Sequence, residues 1–169
     1  MQFIKYTMLF VVFILSILIG KYISNQYICR VKELEEIKNA LNILKTKIKF
    51  TYEPLREIFN EISEISNYNV SKLFKKANEN MKNKTAGESW NEAVQDYSGN
   101  INKEDKEVLK MLSKLLGTTD LEGQVSQIEV TESFLEEQIR QAQEERNKSE
   151  KLYKKLGITI GMVVVIILI

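Results

Sequence analysis

Tyr6–Gly20 reads YTMLFVVFILSILIG and is followed at once by Lys21. Ten of its residues are Leu, Ile, Val or Phe, and none is charged. A hydrocarbon core about 30 Å thick asks for about 20 apolar helical residues. The segment approaches that length when Lys5 and Lys21 snorkel to the two interfaces, so that Phe3 to Ile23 occupy the span. A counterpart, LGITIGMVVVIILI, covers 156–169, again with ten Leu, Ile or Val residues and no charge. Leu152, Tyr153 and a snorkelling Lys154 and Lys155 lengthen it. At about −0.3 to −0.6 kcal/mol per such residue, each segment favours insertion by about 3 to 6 kcal/mol before less favourable residues are subtracted. A cleaved leader fits the first segment poorly. Its basic region has only Lys5, and Gly20-Lys21-Tyr22-Ile23 offers no small-residue cleavage site. The expectation is a transmembrane helix at residues 1–23 and another at 152–169, with one domain at 24–151.

Basic residues near membrane ends set orientation. Lys21, Arg30 and Lys32 follow the first segment, and Lys148, Lys151, Lys154 and Lys155 precede the second. Only Lys5 lies beyond the first segment on the other side. The central domain is therefore expected to face the cytosol, with membrane lipid as a partner.

Composition narrows the function. A net charge of +1 argues against a nucleic-acid binder, which needs a basic patch or stripe. One proline and seven glycines leave little room for a β-rich or loop-rich fold. The single cysteine, Cys29, excludes an internal disulfide and reads as a small, inert helical residue. There is no histidine, which removes His-based triads, His–metal sites and an imidazole base. No phosphate-binding glycine loop is present, and no carboxylate pair has acid–base or metal-ligand spacing. No catalytic residue, cofactor or metal is expected.

The central stretch reads as about six helices. Leu34, Ile37, Leu41, Leu44 and Ile48 repeat at 3-4-3-4 spacing and form one stripe ending near Phe50. Pro54 opens a second helix bearing Leu55, Ile58, Phe59 and Ile62. A break is expected at Asn67-Tyr68-Asn69, then a third helix with Val70, Leu73, Phe74, Ala77 and Met81. Thr85 and Glu88 have capping-box spacing ahead of Trp90, Ala93, Val94 and Tyr97, with Trp90 read as core. Ser98-Gly99-Asn100 ends that helix. Asn102 and Asp105 start a fifth, with Val108, Leu112, Leu115 and Leu116 as its apolar face and Gly117 as its C′ residue. From Asp120 no break is evident up to the second apolar segment. One helix of about 50 residues and about 75 Å is expected there. Its core stripe is Leu121, Val125, Ile128, Leu135, Ile139 and Ala142, with Glu132 in a polar slot. The fold class is all-α: a single cytosolic helical bundle with a transmembrane helix at each terminus.

Two features stand apart from core packing. Gly157 and Gly161 form a G-x-x-x-G at the cytosolic end of the second apolar segment, where another helix could approach closely: the first segment or a second copy. The plain alternative is that membrane helices commonly contain glycine. Gly117, Thr118, Asp120 and Gly123 form the second feature, a candidate turn or partner contact. A C-cap glycine, a tight turn and an N-cap Asp120 account for all but Gly123, which costs up to about 1 kcal/mol inside a helix. Close packing against a neighbouring helix would justify it.

Several motifs in order carry a resemblance. After an N-terminal apolar segment and a Leu-rich helix come Tyr52-Glu53-Pro54-Leu55, Gly87, and Trp90-Asn91-Glu92-Ala93. Leu116-Gly117-Thr118-Thr119-Asp120-Leu121 follows, and Lys151-Leu152-Tyr153-Lys154-Lys155-Leu156-Gly157 leads into the aliphatic tail. The order, over almost the whole chain, resembles the stage III sporulation protein AB family of endospore-forming bacteria. Residues 116–123 also resemble part of the cytosolic helical domain of type II secretion and type IV pilus inner-membrane platform proteins. Those proteins carry two such domains and more spans; this chain has one.

The resemblance implies a non-enzymatic subunit of a secretion-like complex joining mother cell and forespore, in the mother-cell (outer forespore) membrane. It further implies two kinds of partner: a cytosolic secretion-type ATPase, stage III sporulation protein AA, and other stage III sporulation membrane proteins. The alternative is a generic membrane scaffold that self-associates into a homo-oligomer.

Overall fold

Leu34, Ile37, Leu41, Leu44 and Ile48 are all buried, so the spaced stripe does turn one helix face inward. The structure, a computed structural model, describes the backbone of residues 2–168. The side chains of residues 1–6, 8, 9, 12, 13, 150, 154, 157, 160, 161, 164, 165 and 167–169 lie outside the described residues. Among the described residues the chain forms six α-helices and one short 3₁₀ turn, with no strand. They are α1 (Gln2–Phe50), α2 (Leu55–Ile65), α3 (Tyr68–Asn80), α4 (Ala86–Gln95), α5 (Lys103–Lys110), the 3₁₀ turn (Met111–Lys114) and α6 (Leu121–Leu168).

The chain divides into two compact units. The first comprises Met1–Val31 and Gln141–Ile169, the second Lys32–Arg140. Within the first unit α1 and α6 run antiparallel. Arg30 Nη1 donates to Glu145 Oε2 at 2.7 Å, and the rings of Tyr27 and Tyr153 stack with centroids 6.4 Å apart. Among the described residues no helix is long and apolar enough to cross a membrane. The expected spans at 1–23 and 152–169 include many residues outside that description.

The second unit is the helical bundle. α1 and α6 pair antiparallel here too, through Lys38 Nζ to Glu136 Oε1 and Lys45 Nζ to Glu132 Oε2, each at 2.5 Å. Glu132 sits in the polar slot of the α6 stripe because Lys45 reaches it. Ile128, Leu135 and Ile139 of that stripe are buried, whereas Leu121 is exposed. α2 packs on α3, α3 on α4, and α4 on α5 and the 3₁₀ turn. Phe59, Phe74 and Trp90, from α2, α3 and α4, form a fully buried aromatic cluster with centroids 5.3 to 5.8 Å apart. Trp90 Nε1 donates to the carbonyl of Leu109 at 2.7 Å, so its one polar atom is satisfied in the core.

Two local expectations shift. The break after α2 falls at Ser66-Asn67, and Tyr68 and Asn69 already belong to α3. Asn67 donates through its backbone N–H and Nδ2 to the Glu36 carboxylate of α1, so the chain is held there by a distant group. The buried face of the α5 region is Asp105, Leu109, Leu112 and Leu116, while Leu115 is exposed and Val108 only half-buried. The tighter 3₁₀ turn changes the angle between successive residues, which moves Leu115 off the face an α-helical period assigns it.

Candidate functional site

The Thr85–Glu88 capping box read from the sequence forms, and the Asn102–Asp105 start of the fifth helix proves to be a second one. Thr85 Oγ1 accepts from the backbone N–H of Glu88, and the Glu88 carboxylate accepts from that of Thr85, which holds it below its ordinary range. Asn102 and Asp105 exchange the same pair of bonds at 2.9 and 2.8 Å. Between these caps α4 is pressed against the 3₁₀ turn. A Cβ on Gly87 would lie 2.2 Å from the Ser113 carbonyl oxygen, so only glycine permits this approach.

Residues 116–124 form a closed turn. Gly117 has φ +73, the left-handed conformation that ends a helix without a Cβ penalty. Its N–H donates to Gln124 Oε1 at 3.0 Å, and Gln124 Nε2 donates to the Thr119 carbonyl at 3.1 Å. Thr118 N–H donates to the Leu115 carbonyl. Asp120 Oδ1 accepts from the Gly123 N–H at 2.9 Å and so caps α6. The expected reason for Gly123 is corrected. Its missing Cβ would meet Thr119 and Asp120 side-chain atoms at 2.7 to 2.8 Å, so the turn itself folds over it and no neighbouring helix is needed. Gly117, Thr118, Asp120 and Gly123 thus come together in one turn, with Gly117, Thr118 and Asp120 exposed. Gly157 and Gly161 fall within α6, but their surroundings lie outside the described residues.

The structure adds a cluster that sequence reasoning missed. Glu33 of α1 is buried, with a relative exposure of 6 %. Its Oε1 accepts from the Tyr97 hydroxyl at 2.7 Å and from the Asn100 N–H at 2.9 Å. Its Oε2 accepts from Asn100 Nδ2 and from Asn69 Nδ2, both at 2.9 Å. A Cβ on Gly99 would lie 1.8 Å from Glu33 Oε1 and 2.6 Å from the Tyr97 ring. Burial, and then the Glu33 carboxylate, push the Tyr97 hydroxyl well above its ordinary pKa. Lys106 Nζ donates to the carbonyls of Tyr97 and Gln95, where α4 ends. With acceptor sites filled and little solvent access, the carboxylate fastens α1 to α3 and to the 97–100 loop. Helical spacing was the available signal: Glu33 stands four residues before Ile37, at the edge of the buried stripe.

Among the described residues no group of His, Cys, Asp or Glu is arranged to hold a metal ion. A family model described as stage III sporulation protein AB matches residues 5–169. The chain is 27 % identical over 153 residues to stage III sporulation protein AB of Bacillus subtilis (strain 168), covering 88 % of this chain and 90 % of that one. A solved structure titled stage III sporulation protein AB is similar in fold, with a TM-score of 0.66 and 22 % identity, over 70 % of this chain and 96 % of that one.

Proposed function

The chain belongs to the stage III sporulation protein AB family, and from that premise we propose that it is a membrane platform subunit of a secretion-like complex joining mother cell and forespore. In this reading it performs no chemistry. Helices at 1–23 and 152–169 hold it in the mother-cell (outer forespore) membrane, and the bundle faces the cytosol. There it docks a secretion-type ATPase, with the exposed 117–123 turn as a candidate contact.

The observation that carries the reading is the pair of uncharged apolar segments, Tyr6–Gly20 and 156–169, on either side of a helical bundle. α6 continues without a break from Leu121 in the bundle to Leu168, which supports transmission of an ATPase-driven change along it. The basic residues next to each segment support the cytosolic orientation.

The test has two arms. Full-length protein is expected to stay in the membrane fraction through a carbonate wash and to retain the ATPase in a pull-down. Release by carbonate removes the anchoring, and absence of ATPase from a membrane-bound sample removes the docking. Replacing Gly157 and Gly161 by leucine is expected to weaken association between membrane helices; unchanged association assigns those glycines no contact role.

A further inference from the structure

A cleft of about 400 Å³ opens between the C-terminal end of α1 and the start of α6. Lys49 and Tyr52 form one wall, and Leu121, Glu122, Val125, Ser126 and Glu129 form the other. Tyr52 follows the end of α1 in the left-handed conformation, with φ +56, at a position where glycine is the usual residue. A tyrosine there is strained, yet its side chain is 75 % exposed. Burial within this chain therefore does not offset the strain. Across the cleft Leu121 is also exposed, and Val125 is half-buried.

The charge of the cleft is one-sided. Glu122 and Glu129 stand two turns apart along α6 and only about 20° apart around it, with Ser126 between them, so the three share one side of the helix. Neither carboxylate forms an ion pair among the described residues. Lys49 on the facing wall does not neutralise them. Its Nζ lies over the Phe50 ring, 5.5 Å from the centroid, and it too forms no ion pair among the described residues. An apolar surface made by Tyr52, Leu121 and Val125 thus adjoins two carboxylates whose counter-charge this chain does not supply.

We propose that this cleft seats a segment of a partner protein that combines an apolar side chain with lysine or arginine. The apolar group rests on Tyr52, Leu121 and Val125, and the cations face Glu122 and Glu129. Complementary charges of this kind speed the encounter and reject partners that lack the cation. The inference rests on the docking reading above and deepens it: the secretion-type ATPase contributes the basic, apolar segment, and the cleft beside the 117–123 turn holds it.

Titrating the ATPase onto the full-length chain in membranes, at fixed salt, tests it. Glu122→Lys/Glu129→Lys is expected to weaken binding by about tenfold or more. Glu64→Lys/Glu79→Lys makes the same change of charge at exposed sites on α2 and α3 and is expected to leave binding unchanged. Tyr52→Gly is expected to weaken binding by about tenfold. Its thermal midpoint is expected to equal or exceed the parent's, because glycine takes φ +56 without strain, so that loss of binding is not loss of fold. A parent that binds no ATPase removes the docking reading and this inference with it. A parent that binds, with Glu122→Lys/Glu129→Lys or Tyr52→Gly binding equally well, overturns the cleft alone and leaves docking in place. An equal loss in Glu64→Lys/Glu79→Lys also overturns it, because net charge rather than this cleft then sets the affinity.

Discussion

The Tyr97 hydroxyl donates to Glu33 Oε1 at 2.7 Å, across 64 positions of sequence. It is one of four donors that satisfy a buried carboxylate, with both Asn100 bonds and Asn69 as the others. Removing a single partner leaves buried polar capacity unmet, at about 1–3 kcal/mol. Tyr97→Phe is accordingly expected to destabilise the bundle by about 1–3 kcal/mol. Glu33→Ala, which strands all four donors, is expected to cost more. Urea unfolding followed by circular dichroism reads both.

Tyr97 also sets an alkaline limit. Its hydroxyl titrates above its unfolded value near 10, so the folded chain holds that proton more tightly. The resulting stability is full below pH 10 and is lost as pH rises from 10 towards the folded value. Thermal midpoints measured from pH 8 to 11 are expected to fall above pH 10, with a smaller fall in Tyr97→Phe. Equal slopes in the two proteins would remove the linkage.

Lys45 and Glu132 form a largely buried pair between α1 and α6. Breaking such a pair on one side costs more than replacing both partners by apolar groups of similar volume. Glu132→Ala is expected to destabilise by about 1–3 kcal/mol, and Lys45→Met/Glu132→Leu to unfold close to the parent. A double variant as unstable as the sum of its parts would contradict this account.

Gly87 and Gly123 are expected to respond differently to alanine. At Gly87 the new methyl meets the backbone carbonyl of Ser113, which cannot move without shifting the 3₁₀ turn. At Gly123 it meets the side chains of Thr119 and Asp120, which can rotate away at the expense of the α6 cap. Gly123→Ala is expected to cost about 1 kcal/mol, the worth of a lost cap, and Gly87→Ala clearly more. Trp90→Ala, which empties the aromatic cluster, is expected to cost about 3–5 kcal/mol. Denaturation midpoints rank all three.

The sequence alone determined the helices and their caps. The 3-4 spacing of the α1 stripe, the Thr85–Glu88 and Asn102–Asp105 boxes, and the Gly117 C-cap are local patterns, and local hydrogen-bond geometry reads them directly. Family membership was also legible there, because it rests on the order of motifs along the chain. Partnerships between distant residues were decided by the tertiary structure. The i,i+4 spacing of Glu136 and Arg140 suggests a pair, yet Glu136 turns to Lys38 of α1, and Arg140 binds Glu137. Tyr97, Asn100 and Asn69 meet around Glu33 only because the fold brings α3 and the 97–100 loop against α1. Periodicity tells which side of a helix is buried; which groups meet there depends on how separate helices are laid against one another, and no spacing within one helix encodes that.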